Sequence, residues 1–258
     1  MNNIEKFTLA KDRYLGREYK TKEGYNIKVV EYKNYNEVVI MYDNGYKTTS
    51  KMSHIKSGNI KNPYHPSVYG VGYFGDGEYK SKINRKKVNS YTSWCNMLGR
   101  CYNEREVLKF PTYKNTIVCE EWHNFQNFAK WYEKNRKDYM DNSWDLDKDI
   151  LIKGNKVYSP EACCFVPQEV NKLFVKNDTN REDLPIDVYD KNGRYASQIR
   201  IKGVDNIYLG TFTTPEEAFK AYKIAKELYI KEVADIWKDQ IDQRVYKAMY
   251  EYQVEIAD

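Results

Sequence analysis

Between Arg194 and Tyr229 the hydrophobic period changes once, from two residues to about three and a half, and this limits what the segment can build. From Arg194 to Lys202 polar and apolar residues alternate, as in a strand with one covered and one open face. Arg194, Gln198, Arg200 and Lys202 fall on one side; Tyr195, Ile199 and Ile201 fall on the other. A turn over 202–206 leads into Ile207-Tyr-Leu-Gly-Thr-Phe212, with Ile207 and Leu209 on the apolar side. Thr214-Pro-Glu-Glu217 then opens a helix, with a capping hydroxyl, proline at the first helical position and acids in the first turn. Its apolar stripe is Ala218, Ala221, Tyr222, Ala225, Leu228 and Tyr229. Strands backed by one helix bury both stripes.

Upstream, Tyr25–Tyr32, Glu37–Tyr42 and Tyr46–Thr49 read as short strands, with Asp43-Asn-Gly45 as a tight turn. A small antiparallel barrel or curled sheet is expected. Gly70-Val-Gly-Tyr-Phe-Gly75 formally matches a dinucleotide fingerprint. It lacks the preceding strand and following helix that would bring a phosphate to a helix N-terminus, so it reads as a surface loop. Lys80, Lys82, Arg85, Lys86 and Lys87 form a basic connector, either a solvated linker or an arm that contacts phosphates. Helical spacing begins near Tyr91 and recurs through Trp122, Phe125, Phe128, Ala129 and Trp131–Tyr132. Residues 145–167 read as strand, loop, strand, and a helix follows Pro167. The expected class is α+β in three small modules: a basic β-rich, barrel-like module at 1–88, a second at 89–180 and a sheet-plus-helix module at 181–258.

Composition agrees with several small aromatic cores: the 258 residues include 25 Tyr, 9 Phe and 5 Trp. No apolar run is long enough for a membrane helix, and the first residues lack a signal-peptide pattern, so no membrane partner and an intracellular location are expected. Five cysteines, two of them adjacent, make a poor disulfide framework. Cys95, Cys101, Cys119 and Cys163 or Cys164 could in principle hold structural zinc, but Cys95 and Cys101 are spaced more widely than the usual ligand pair. Charge is uneven. Residues 1–88 carry 17 basic against 9 acidic side chains, residues 89–180 carry 13 of each, and residues 181–258 carry 12 against 15. A basic first third suits a polyanion. The acids of the last third fall largely on its helix and beyond, leaving the open strand face basic.

Residues 184–231, through Arg194-Tyr-Ala-Ser-Gln-Ile-Arg200, Tyr208-Leu-Gly-Thr-Phe212 and Thr214-Pro-Glu-Glu-Ala-Phe-Lys-Ala-Tyr222, resemble an AP2 DNA-binding domain. The resemblance implies a three-stranded sheet docked in the major groove of double-stranded DNA. By position, its contacts fall on Arg194, Gln198, Arg200, Asn206 and Tyr208, with Lys202 on the same face. Residues 91–174 are similar to the HNH-type endonucleases of phages and mobile elements, through Trp94-Cys-Asn-Met-Leu-Gly-Arg-Cys-Tyr102, Val118-Cys-Glu-Glu-Trp122, Leu146-Asp-Lys-Asp149, Tyr158-Ser-Pro-Glu161 and Asn171. That similarity implies a hydrolase with a general base and a divalent metal, Mg²⁺ or Mn²⁺. Asp145 stands where the family has a histidine, and Ala162 replaces a usual asparagine. Asp145 and Asp147 are the catalytic candidates; Asp147, Asp149 and Asn171 are the metal candidates.

The expected function is therefore a double-stranded-DNA-binding protein of phage or mobile-element type, acting in the cytoplasm of a bacterial host. It is related to homing endonucleases, with nicking resting on a degenerate motif. Two alternatives stand beside it: a DNA-binding regulator without hydrolysis, and an anti-defence inhibitor that binds a host protein. The tyrosine-rich surface motivates the last.

Overall fold

A computed structural model describes Thr8 and residues 11–137, 139–141, 143–174, 184–203 and 206–256. The class is α+β, built from several small sheets and helices of varied length. The chain divides into two compact units, Met1–Tyr79 with His123–Gln126, and Lys80–Trp122 with Asn127–Asp258. Both segments read from the sequence as separate modules after residue 89 fall within the second unit, apart from residues 123–126. The boundary drawn between 180 and 181 lies outside the described residues. No described helix is long and apolar enough to cross a membrane.

The first unit holds an antiparallel meander, β1 (Glu18–Lys20), β2 (Asn26–Asn34), β3 (Glu37–Tyr42) and β4 (Lys47–Ser50), in that spatial order. Strict alternation in β3 buries Val38, Ile40 and Tyr42 and leaves the intervening residues half-exposed. Ile27 and Val29 of β2 face them, and Met52 and Ile55 of α1 (Met52–Ser57) close the core. Among the described residues these strands form an open sheet rather than a barrel, because β1 and β4 lie at opposite edges. The glycine-rich loop is structural. Gly75 has φ 74°, and a Cβ there would come within 2.0 Å of the Asn124 side chain. Gln126 uses the adjoining space to accept from Tyr79 N–H (2.9 Å) and donate to the carbonyls of Tyr79 (3.0 Å) and Phe74 (3.3 Å).

The second unit begins with a two-residue ribbon, β5 (Lys82–Ile83) and β6 (Lys86–Lys87), followed by α2 (Asn89–Tyr102) and α3 (Glu104–Lys109). Its core is aromatic. Trp94 of α2 is fully buried and donates Nε1–H to the Trp122 carbonyl at 2.7 Å. From α4 (Phe125–Asn135), Phe128 meets Trp122 edge-on at 5.1 Å, and Trp131 and Tyr132 pack on Phe165 at 5.5 and 5.1 Å. Each such side chain contributes about 1.5–3 kcal/mol on leaving water. Two small ladders complete this region. β7 (Ile117–Val118) pairs in parallel with β9 (Val157–Tyr158), and β8 (Trp144–Asp147) pairs antiparallel with β10 (Cys164–Pro167). β10 leads directly into α5 (Gln168–Lys172).

Next comes the antiparallel sheet β11 (Val188–Asp190), β12 (Tyr195–Ile199) and β13 (Ile207–Phe212). It is covered by α6 (Pro215–Trp237), and α7 (Gln243–Tyr250) packs on α6. The helix expected after Thr214 is present with its cap, but its buried stripe differs: Ala218, Phe219, Tyr222, Tyr229, Ile230, Val233 and Ala234. Leu228, assigned to the stripe from spacing, is 56% exposed.

Candidate nucleic-acid interface and the acidic strand end

The register of the sheet sorts its side chains. Val188 pairs with Ser197 and Tyr189 with Ala196, so Val188, Ser197 and Ile199 share the face covered by α6 and are buried. Tyr189, Gln198 and Tyr208 share the opposite face. Between the Ser197–Gly210 and Gln198–Tyr208 pairs the register shifts, leaving Leu209 as the extra residue of a bulge. Gly210 there has φ 136°, a conformation strained for any side chain, which gives the Leu-Gly-Thr-Phe string a backbone reason for its glycine. Ile207 pairs with Ile199, on the side expected, yet is 38% exposed, so that face is not covered as far as Ile207.

β12 is shorter than the alternation suggested, so only Gln198 of the four polar candidates lies within it. Arg194 is exposed in the turn before it. Arg200 is exposed just beyond, donating Nε–H to Asn206 Oδ1 at 3.3 Å. Lys202 lies further out, paired with Glu169 at 3.1 Å, while its amide donates to Tyr229 Oη. Residues 204 and 205 of the expected turn lie outside the described set. Tyr208 is 50% exposed, with the Lys191 ammonium 4.9 Å from its ring centroid and its hydroxyl bonded to Thr211. The surface thus gathers Arg194, Gln198, Arg200, Asn206 and Tyr208, and adds Tyr189 and Lys191. The last two escaped the sequence reading because β11 has only three residues. Asn192-Gly193, both left-handed, was the available hairpin signal.

Arg200 and Lys202 also border a cavity of about 720 Å³ with Phe174, Tyr222, Tyr229 and Trp237. The basic connector is a β-hairpin, and Lys80, Lys82, Arg85, Lys86 and Lys87 are all exposed on it or at its base.

At the acidic strand end, Asp145 on β8 meets Asn171 on α5, which donates Nδ2–H to Asp145 Oδ2 at 3.3 Å. Asp147 Oδ1 accepts the amides of Asp149 (2.7 Å) and Ile150 (2.8 Å), closing the turn after β8. Burial pushes its carboxyl above the usual range, against the pull of those two amides. Both Asp149 oxygens lie 2.7 Å from the Lys148 ammonium. Lys148 is itself buried and also donates to the Asn155 carbonyl. Asn155 donates in turn to Lys148 O and Val157 O, pinning the loop. The three candidate ligands therefore have separate local partners: a turn for Asp147, an ammonium for Asp149, and Asp145 for Asn171.

All three histidines, His54, His65 and His123, belong to the first unit. The five cysteines are free. Burial raises every thiol, Cys101 to about 12 and Cys163 and Cys164 well above the ordinary value, which keeps them protonated. Among the described residues no three His, Cys, Asp or Glu side chains converge as a metal-holding group. Comparison with protein-family models, with curated proteins and with solved structures gives no match for this chain.

Proposed function

We propose that this chain binds double-stranded DNA through the open face of the β11–β13 sheet, in the manner its AP2-like sequence implies. The carrying observation is the juxtaposition of Arg194, Gln198, Arg200, Asn206 and Tyr208 on a surface whose other face is covered by α6. Arginine forks and glutamine amides are the side chains best matched to guanine and adenine edges in a major groove. The first 88 residues, with 17 basic against 9 acidic side chains, add a sequence-independent attraction for phosphate. Such a protein suits a phage or mobile element working in a bacterial cytoplasm.

The proposal stops at binding. Asp145, Asp147 and Asp149 already have local partners, and the residues fit the Mg²⁺ or Mn²⁺ ion of an HNH-type site poorly. The test is a gel shift on a random duplex library, run beside a nicking assay on supercoiled DNA with Mg²⁺, Mn²⁺ or EDTA. Salt-sensitive binding that weakens by about 1–3 kcal/mol in Arg200→Ala or Gln198→Ala is expected. Metal-dependent nicks that vanish in Asp147→Ala would overturn the non-cleaving reading. Absence of any duplex binding would overturn the DNA reading itself and leave a protein partner as the next hypothesis.

A further inference from the structure

The hairpin of β5 and β6 is built in a way that its own stability does not explain. Lys82 stands directly opposite Lys87, and Ile83 opposite Lys86. Like charges facing each other across a ladder are destabilising, and a ribbon this short is marginal even without them. The nearest acid in sequence, Glu78, forms no ion pair with these cations among the described residues, and residues 79–103 contain neither Asp nor Glu. Among the described residues Lys80, Lys82, Arg85, Lys86 and Lys87 have no ion-pair partner. The turn residues Asn84 and Arg85 are both left-handed, at φ 49° and 65°. Two-residue turns of this kind favour glycine at the second position, and an arginine there costs backbone energy. Every side chain from Lys82 to Lys87 is exposed, and the one apolar residue among them, Ile83, is 59% exposed. The Val88 amide bonds the Ser81 carbonyl at 3.1 Å, so the ribbon is held to its base.

We infer that this hairpin is a minor-groove arm for double-stranded DNA, with Ile83 as an apolar wedge that enters a base step and kinks the duplex. The inference rests on the reading of this chain as a DNA-binding protein and gives the basic connector a mechanical role in it. Polyanion contact turns the Lys82–Lys87 repulsion into a gain, because each lysine then faces phosphate and releases counterions. A narrow groove draws in an arginine such as Arg85 at the ribbon tip. An isoleucine among cations is how a protein unstacks a step, and such wedges bend DNA by roughly 20–90°. Flexible TA and CA steps are the cheapest to open.

The experiment uses the full chain and one duplex of about 30 base pairs, enriched from a random pool by the wild-type protein. Donor and acceptor dyes at its ends report bending, and the same samples give affinity. Wild type raises energy transfer on binding. Ile83→Ala abolishes that rise while affinity falls by about tenfold or less, and Ile83→Phe, which keeps a wedge, retains it. Because Ile83 is exposed, neither change threatens the fold, and unaltered circular dichroism verifies this. Bending by Ile83→Ala equal to wild type overturns the inference while the DNA-binding reading stands. Bending that depends on Ile83 but binding indifferent to Arg200→Ala overturns the sheet as the reading surface and leaves the arm in place. If the wild type enriches no duplex, both fall together.

Discussion

Asp147 illustrates how one carboxylate can carry a turn rather than a reaction. Its Oδ1 accepts two backbone amides at 2.7 and 2.8 Å, bonds an amide oxygen would make equally well. We therefore expect Asp147→Asn to fold normally, whereas Asp147→Ala leaves two amides without their acceptor and loses about 2 kcal/mol in urea melts. The pH dependence separates the charge from the turn. Burial raises the folded carboxyl above its ordinary 3.8, so the native state holds its proton more tightly than the unfolded chain does. The resulting stability is complete below 3.8 and is lost as pH rises through the folded value. Relative to wild type, Asp147→Asn should become more stable over that rise, read as a growing difference in Tm between acidic and neutral buffer. A flat difference would mean that the carboxylate is solvated.

Among the elements, α6 is the one whose start was legible and whose buried face was legible only in part: Ala218, Tyr222 and Tyr229 are buried as expected, and Leu228 is not. Thr214 Oγ1 accepts from Glu217 N–H at 3.3 Å, and Glu217 Oε2 accepts from the amides of Thr213 (3.0 Å) and Thr214 (3.3 Å). This reciprocal cap depends on residues three positions apart, so local sequence suffices to find it. Thr214→Ala should cost about 1 kcal/mol, a fall of roughly 2–4 °C in Tm. Which stripe faces the sheet depends instead on how the helix is rolled, and that is settled by partners distant in sequence. Leu228 fits the helical period but meets solvent, so Leu228→Lys should change stability by less than about 0.5 kcal/mol, while Tyr222→Ala should cost about 3. Comparable losses at both positions in denaturant titrations would show that the roll is wrong. For a related reason the alternation predicts a longer β12 than forms: it continues past Ile199, but pairing with β13 stops there.

At the scale of the whole molecule, charge rather than shape carries the strongest expectation. The excess of basic over acidic residues lies in the first 88 positions, which include the hairpin. Phosphate contacts release counterions, so the logarithm of the binding constant should fall linearly with the logarithm of salt, by about 0.9 for each phosphate neutralised. Replacing Lys82 and Lys87 together by alanine should flatten that slope by about 2 between roughly 50 and 200 mM salt, with little change in base preference. Gel shifts across that range measure both. An unchanged slope would show that the hairpin does not touch the backbone.

The amino-acid order alone settled the α+β class, most strands of the meander, the capped start of α6 and the concentration of cations at residues 80–87, because each is a contact or period among near neighbours. It also brought Arg194, Gln198 and Arg200 forward as one candidate surface. The order alone could not tell a basic linker from a hairpin, since that depends on whether Lys82 and Lys87 pair across a left-handed turn. Nor could it assign Asn171 to Asp145 rather than Asp147, or commit Asp149 to Lys148. The first partnership joins β8 to α5 and forms only when those elements pack together, and the second depends on how the turn after β8 folds.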